Sequence, residues 1–193
     1  KVFDSSPGVL VIPNPNLKPE YATNFELSIL KSYQHKAKVE LDVFYTVLND
    51  VMVRREYQLN GMDSMIYNGE MSRIEALVNA DHAFIYGGSL TVRYYFSKLF
   101  HTFHSVTLNY GEDNEGYPIR HVSPVFGNSH FIYHYSNAKL DFYINYNGKL
   151  PNEKLAPSEQ EKTHIYATDA SGNPYSPAWC TLNLKSSFQI SHI

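Results

Sequence analysis

Apolar and polar residues alternate with a period of two along most of this chain, the pattern of strands whose two faces meet different surroundings. Ala37, Val39, Leu41, Val43, Tyr45 and Val47 alternate with Lys38, Glu40, Asp42 and Thr46, and only Phe44 interrupts the polar side. Leu90, Val92, Tyr94 and Phe96 alternate with Thr91, Arg93 and Tyr95. Ala138, Leu140, Phe142, Ile144 and Tyr146 alternate with Lys139, Asp141, Tyr143 and Asn145. Read throughout, the pattern predicts seven strands, over residues 20–33, 36–55, 79–96, 100–111, 126–135, 138–148 and 178–190. Short turns fall at Gln34-His35, Ser97-Lys98-Leu99 and Ser136-Asn137, and long loops over about 56–78, 112–125 and 149–177.

Short and long connections in alternation are the rhythm of an antiparallel up-and-down barrel, with short turns on one rim and long loops on the other. A sandwich is built of shorter strands at closer spacing, whereas the second strand here runs to about 20 residues. The faces agree. One face of every strand carries Leu, Val, Ile, Phe and Tyr and suits lipid. The other carries Glu26, Lys38, Glu40, Asp42, Arg93, Lys139, Asp141, Asn183 and Lys185. That is too many charges for a dry core, and it suits a wide wet lumen or one filled by a polar plug. The fold class is therefore all-β: a segment of an antiparallel up-and-down transmembrane β-barrel.

Composition narrows the class further. Aromatic residues make up 15%, with 16 Tyr and 11 Phe, which suits strands and membrane interfaces. No run approaches the roughly 18 apolar residues of a spanning helix, so a helical membrane protein is excluded and a barrel is not. A net charge of −3 offers no basic surface for nucleic acid. Cys180 is alone, so no internal disulfide forms. The chain, opening at Lys1, reads as part of something longer.

Before the first strand stands Asn14-Pro15-Asn16-Leu17-Lys18-Pro19-Glu20. Pro13, Pro15 and Pro19 fix φ and remove three backbone donors, so the stretch is a rigid extended lead-in. With Phe25-Glu26-Leu27 behind it, it resembles the motif that opens the C-terminal barrel section of TonB-dependent outer-membrane receptors. Three further segments resemble the same family in the same order. They are Ala83 to Leu90, Tyr110-Gly111-Glu112-Asp113 with the re-entry His121 to Gly127, and Pro177-Ala178-Trp179-Cys180-Thr181-Leu182-Asn183-Leu184. Ser89 stands where the family pattern has Glu, so that residue's role does not carry over.

The resemblance implies about a third of a 22-strand barrel over residues 1–193, without the plug domain and the closing strands. It implies location in the bacterial outer membrane, in contact with its lipid. It also implies uptake of a scarce small-molecule ligand of the iron chelate, haem or corrinoid class. Energy would come from the inner membrane through a TonB-type periplasmic protein acting on the plug. The alternative is a soluble or surface all-β module that binds carbohydrate or protein.

Candidate chemistry is sparse. His130 and His134 lie four apart on one strand, on one side and about 13 Å from each other, too far to share a metal ion. His101 and His104 face opposite ways. Tyr57, Tyr67, Tyr117, Tyr166 and Tyr175 fall in predicted loops, where rings could stack on a chelate or simply pack. Tyr117, His121, His164 and Tyr166 are the ligand-binding candidates. No metal ligand set, resident cofactor or nucleophile motif is found, so the reading is of a protein that is not an enzyme.

Overall fold

The computed structural model describes residues 4–6, 8–120 and 122–190. Its strands are β1 (Asp4–Ser6), β2 (Val9–Ile12), β3 (Tyr21–Tyr33), β4 (Ala37–Asn49), β5 (Met52–Glu56), β6 (Ser64–Tyr67), β7 (Glu70–Asn79), β8 (His82–Tyr95), β9 (Phe100–Asp113), β10 (Val125–Tyr135), β11 (Ala138–Asn147), β12 (Ala167–Thr168), β13 (Pro174–Tyr175) and β14 (Trp179–Phe188). Seven of them form one antiparallel sheet in the order β14-β11-β10-β9-β8-β4-β3. This is the predicted wall. Its two edges, β3 and β14, are open, so the barrel is not closed by this chain.

Register sorts the side chains as the alternation requires. Glu40 lies opposite Thr91, Thr91 opposite Ser105 and Ser105 opposite Asn128, all on the inner face. Leu41, Leu90 and Val106 form the equivalent row outside. The outer row has nothing against it: Leu182 is 68% exposed and Leu184 is 74% exposed. Such a face is stable in hydrocarbon, not in water. The short turns form as expected, with Gln34, His35 and Ser136 taking positive φ (43°, 56° and 52°). Outside, the ring of Tyr146 covers Gly127, where any Cβ would collide with it, and its hydroxyl donates to the Ser105 carbonyl at 3.1 Å.

Two predicted strands are interrupted. The expected strand 36–55 breaks into β4 and β5 at Asp50, whose φ of 52° is left-handed. The expected strand 79–96 starts earlier, as β7, and breaks opposite that point before β8. The ladder continues across the bend, with Asp50 N donating to Asp81 O at 2.9 Å and Ala80 N to Val51 O at 2.8 Å. Asp tolerates αL because its short polar side chain finds local partners, so the hairpin turns without losing its pairing. Beyond the bend β5 and β7 belong to a second, five-stranded sheet, the cap. The predicted loop 56–78 therefore holds β6 and most of β7. The N-terminal segment adds β2, parallel to β7, and β1.

The cap has its own core: Leu10, Ile12, Ile74 and Ala76 are buried, with Tyr57, Leu59, Met65 and Tyr67 packed on them. A smaller cluster of Leu48, Val51 and Ala83 sits at the bend. The proline lead-in braces this bend. Asn79 accepts from Lys18 N at 2.8 Å and donates to Lys18 O at 3.1 Å and to Asp50 O at 2.6 Å. Glu20 Oε2 accepts from Met52 N at 2.8 Å. The lead-in also turns once, at Pro15-Asn16, where Asn14 Oδ1 accepts from Asn16 N at 3.0 Å.

Candidate functional site

Three long connections meet at the cap end of the wall: the bent hairpin, the loop after β9 and the loop after β11. They are locked together by charge. Arg54 on β5 meets Glu75 on β7 at 3.0 Å, and both are almost fully buried. Arg73 bonds Glu75 at 3.2 Å and reaches Glu161, on the loop after β11, at 2.9 Å. Arg55 pairs with Asp113 at the end of β9. Arg120, on the loop after β9, pairs with Glu159 at 3.0 Å. The buried ends are fixed by several partners each, the condition under which a buried ion pair holds a geometry.

The local electrostatics follow from these contacts. Burial works against the Arg73 charge, but Glu161 and Glu75 outweigh it and hold its pKa above the ordinary value. Burial lowers the pKa of Lys162, and Arg120 and Arg54 push it the same way against Glu159 and Glu75. Burial and the neighbouring Glu159 raise the Tyr166 phenol.

Cavities open among these loops, and two bear on function. One, of about 430 Å³, is polar and is lined by Arg54, Arg55, Arg73, Glu75, Tyr117 and Glu161 among others. The other, of about 710 Å³, lies on the inner face of the wall. Gly87 and Gly111 lie in its floor, where Val122 and Ile119 pack down onto Gly111, and Pro118, Ile119, Val122 and Leu150 wall it. Ile119 N donates to Gly111 O at 3.0 Å, so the loop after β9 folds inward over the lumenal face. The recess is mainly apolar, with Glu153 and Lys154 the charged residues in its lining, a mixture suited to holding a small molecule.

The four candidate residues are not gathered in one place. Tyr117 lines the polar cavity, its ring 4.8 Å from the Arg55 guanidinium. Tyr166 is half-buried beside Glu159. His164 is exposed on the same loop. His121 lies outside the described residues. Of the other loop tyrosines, Tyr57 and Tyr67 pack on the cap core and Tyr175 sits 4.5 Å from Lys149. Among the described residues no three His, Cys, Asp or Glu side chains group as a metal site. On the inner wall His130 bonds Asp141 at 2.9 Å and stacks on Tyr143, while His134 stacks on His101. Sequence reasoning missed the arginines, Glu75 and Glu159. The one available signal was the pair Arg54-Arg55, which breaks the alternation of the second predicted strand.

Solved structures of the same shape include a copper transporter and siderophore receptors. The wall and cap superpose on the copper transporter OprC (TM-score 0.68, 12% identity, 92% of this chain and 25% of that one). They match the siderophore receptor PirA of Acinetobacter baumannii (TM-score 0.64, 20% identity, 95% and 27%). They also match a mutant ferric enterobactin receptor, PfeA, of Pseudomonas aeruginosa (TM-score 0.65, 16% identity, 95% and 25%). The chain thus spans about a quarter of the length of those structures. No curated protein matches it by sequence. The family pattern described as "TonB dependent receptor-like, beta-barrel" matches residues 2–192. With a lipid-suited outer face, a polar inner face and long loops folded over one end, the chain belongs to the TonB-dependent receptor family, as part of its β-barrel in the bacterial outer membrane.

Proposed function

We propose that this chain forms wall and surface loops of a receptor that takes up a scarce ligand of the iron chelate, haem or corrinoid class. A plug and the closing strands would come from chain outside these residues. A TonB-type periplasmic protein would act on that plug to couple energy from the inner membrane. The role is binding and passage, not catalysis. One observation carries this reading: the loops after β9 and β11 fold over the inner face and line a mainly apolar recess of about 710 Å³, with Glu153 and Lys154 in its lining. Tyr117, His164, Tyr166 and His121 remain the proposed loop contacts. Tyr117 has the best support, because it is held by Arg55 at the edge of the polar cavity.

The test is growth of a strain lacking the receptor, with single iron chelates, haem or a corrinoid supplied as the limiting nutrient. Loss of growth on one source, restored by the gene, names the ligand. Normal growth on every source would refute the uptake role.

A further inference from the structure

The charges on the inner wall are not mixed; they are sorted along the barrel axis. The rung next to the short turns runs from Lys38 through Arg93, Phe103 and His130 to Tyr143. The rung below it holds His101, Asp141 and Lys185, and Lys139 lies opposite His134 one step further. Four Lys or Arg and three His thus share this band with a single carboxylate, Asp141, which His130 already engages at 2.9 Å. The three inner-face rungs toward the long loops hold Glu40, then Asp42, then Glu26, and among the described residues no Lys or Arg.

The band is also stiff. Arg93 lies over Phe103 at 5.4 Å, Phe103 meets His130 edge-on at 5.8 Å, and His130 stacks on Tyr143 at 4.8 Å. Lys38, Lys139 and Lys185 make no ion pair among the described residues. Like charges fixed on one surface repel, and a complementary surface relieves them. From Lys38 on β4 to Lys185 on β14 is five strand steps, about 24 Å at roughly 4.8 Å per step. A small ligand does not span that width.

We infer that the basic band docks a carboxylate-rich face of polypeptide seated in the lumen at the short-turn end. The inference rests on the receptor reading above, in which a plug occupies the lumen.

The experiment uses the full-length receptor in planar bilayers and reads the urea concentration at which its channel opens. The variants are Lys38→Glu, Lys139→Glu and Lys185→Glu combined, and the matching Lys→Arg set. Heat-modifiable gel mobility confirms that each barrel is folded. Raising salt from about 0.1 M to about 1 M shortens the Debye length from about 10 Å to about 3 Å. In the wild type and the Lys→Arg set this is expected to lower the opening midpoint. The Glu set is expected to open at lower urea, with the salt effect reversed. A Glu set that opens like the wild type overturns the inference but leaves the receptor reading intact. So does a Glu set that opens like the wild type and loses only uptake of an anionic ligand. Should the Glu set not assemble, a salt-independent wild-type midpoint overturns the inference by itself. A wild type that conducts without urea overturns the receptor reading, and the inference with it.

Discussion

In β14 the side chains of Leu182 and Leu184 stand 68% and 74% exposed, whereas in β7 Ile74 and Ala76 are fully buried. The strands are equally long and lie in different sheets, and they meet their apolar requirement in opposite ways. The cap buries its apolar residues against itself, holds one buried ion pair of its own and is tied by further ion pairs to the loops after β9 and β11. The wall leaves its apolar face for lipid and keeps its polar face inward. The difference separates two kinds of stability. The cap holds by its own packing, while the wall holds only where a bilayer supplies the missing half of its core. The bend at Asp50 is the boundary between them.

The sharpest break of this comparison is Glu75→Gln. It removes the carboxylate shared by the nearly buried Arg54 and by Arg73, which keeps Glu161, at a cost of about 3 kcal/mol. Hydrogen exchange should accelerate in β5 and β7 while the wall stays protected; equal acceleration in both would mean that cap and wall are one unit. Leu182→Arg attacks the wall instead, at about 3 kcal/mol on a lipid-facing site. Its sequence neighbour Asn183→Arg, on the inner face, should cost little. Urea titration of the receptor folded into vesicles separates the two, and similar losses would overturn the assignment of faces. Glu20→Gln weakens the brace at Met52 N by about 1 kcal/mol, seen as faster exchange of that amide alone. The smallest effect concerns the loop after β11. Hydrogen bonds from the Asn173 and Ser171 amides hold the Asp169 carboxyl below its ordinary value. That stabilisation is present above the ordinary carboxylate pKa of about 4 and is lost as pH falls through the lowered folded value. Amide exchange at Asn173 across this acid range should show it, and Asp169→Asn should abolish the dependence.

The wall was legible because each of its strands reads the same way along its whole length. Two faces in constant surroundings impose a period of two, and β9, β10 and β11 follow it within two residues of the expected bounds. The cap was not legible for three physical reasons. Asp50 changes the chain direction with one residue, and no hydrophobic period marks such a change. In β7 the buried set includes Ser72, whose hydroxyl donates to Glu70 O at 3.4 Å, and Glu75, whose burial makes sense only once Arg54 and Arg73 are beside it. The pairing of β2 with β7 crosses about sixty residues of sequence and leaves no local trace. The site suffered most from this. Tyr117 could be named as a loop residue, but its Arg55 partner comes from a strand that pattern reading had assigned to the wall.

The parallel pair also sets an order of events. β2 is made early, yet its partner β7 does not exist until the chain has passed through β3, β4, β5 and β6. Closing so long a segment is entropically costly, so the pairing waits for contacts that form nearer in sequence. The β3–β4, β8–β9 and β10–β11 hairpins, closed by short turns, have no such delay. The wall section beneath the cap therefore assembles first, and the proline lead-in locks onto the bend at Asn79 as a late step. A receptor caught between these steps would have a paired wall and an unlatched outer sheet, which makes the latch the natural place for assembly to stall.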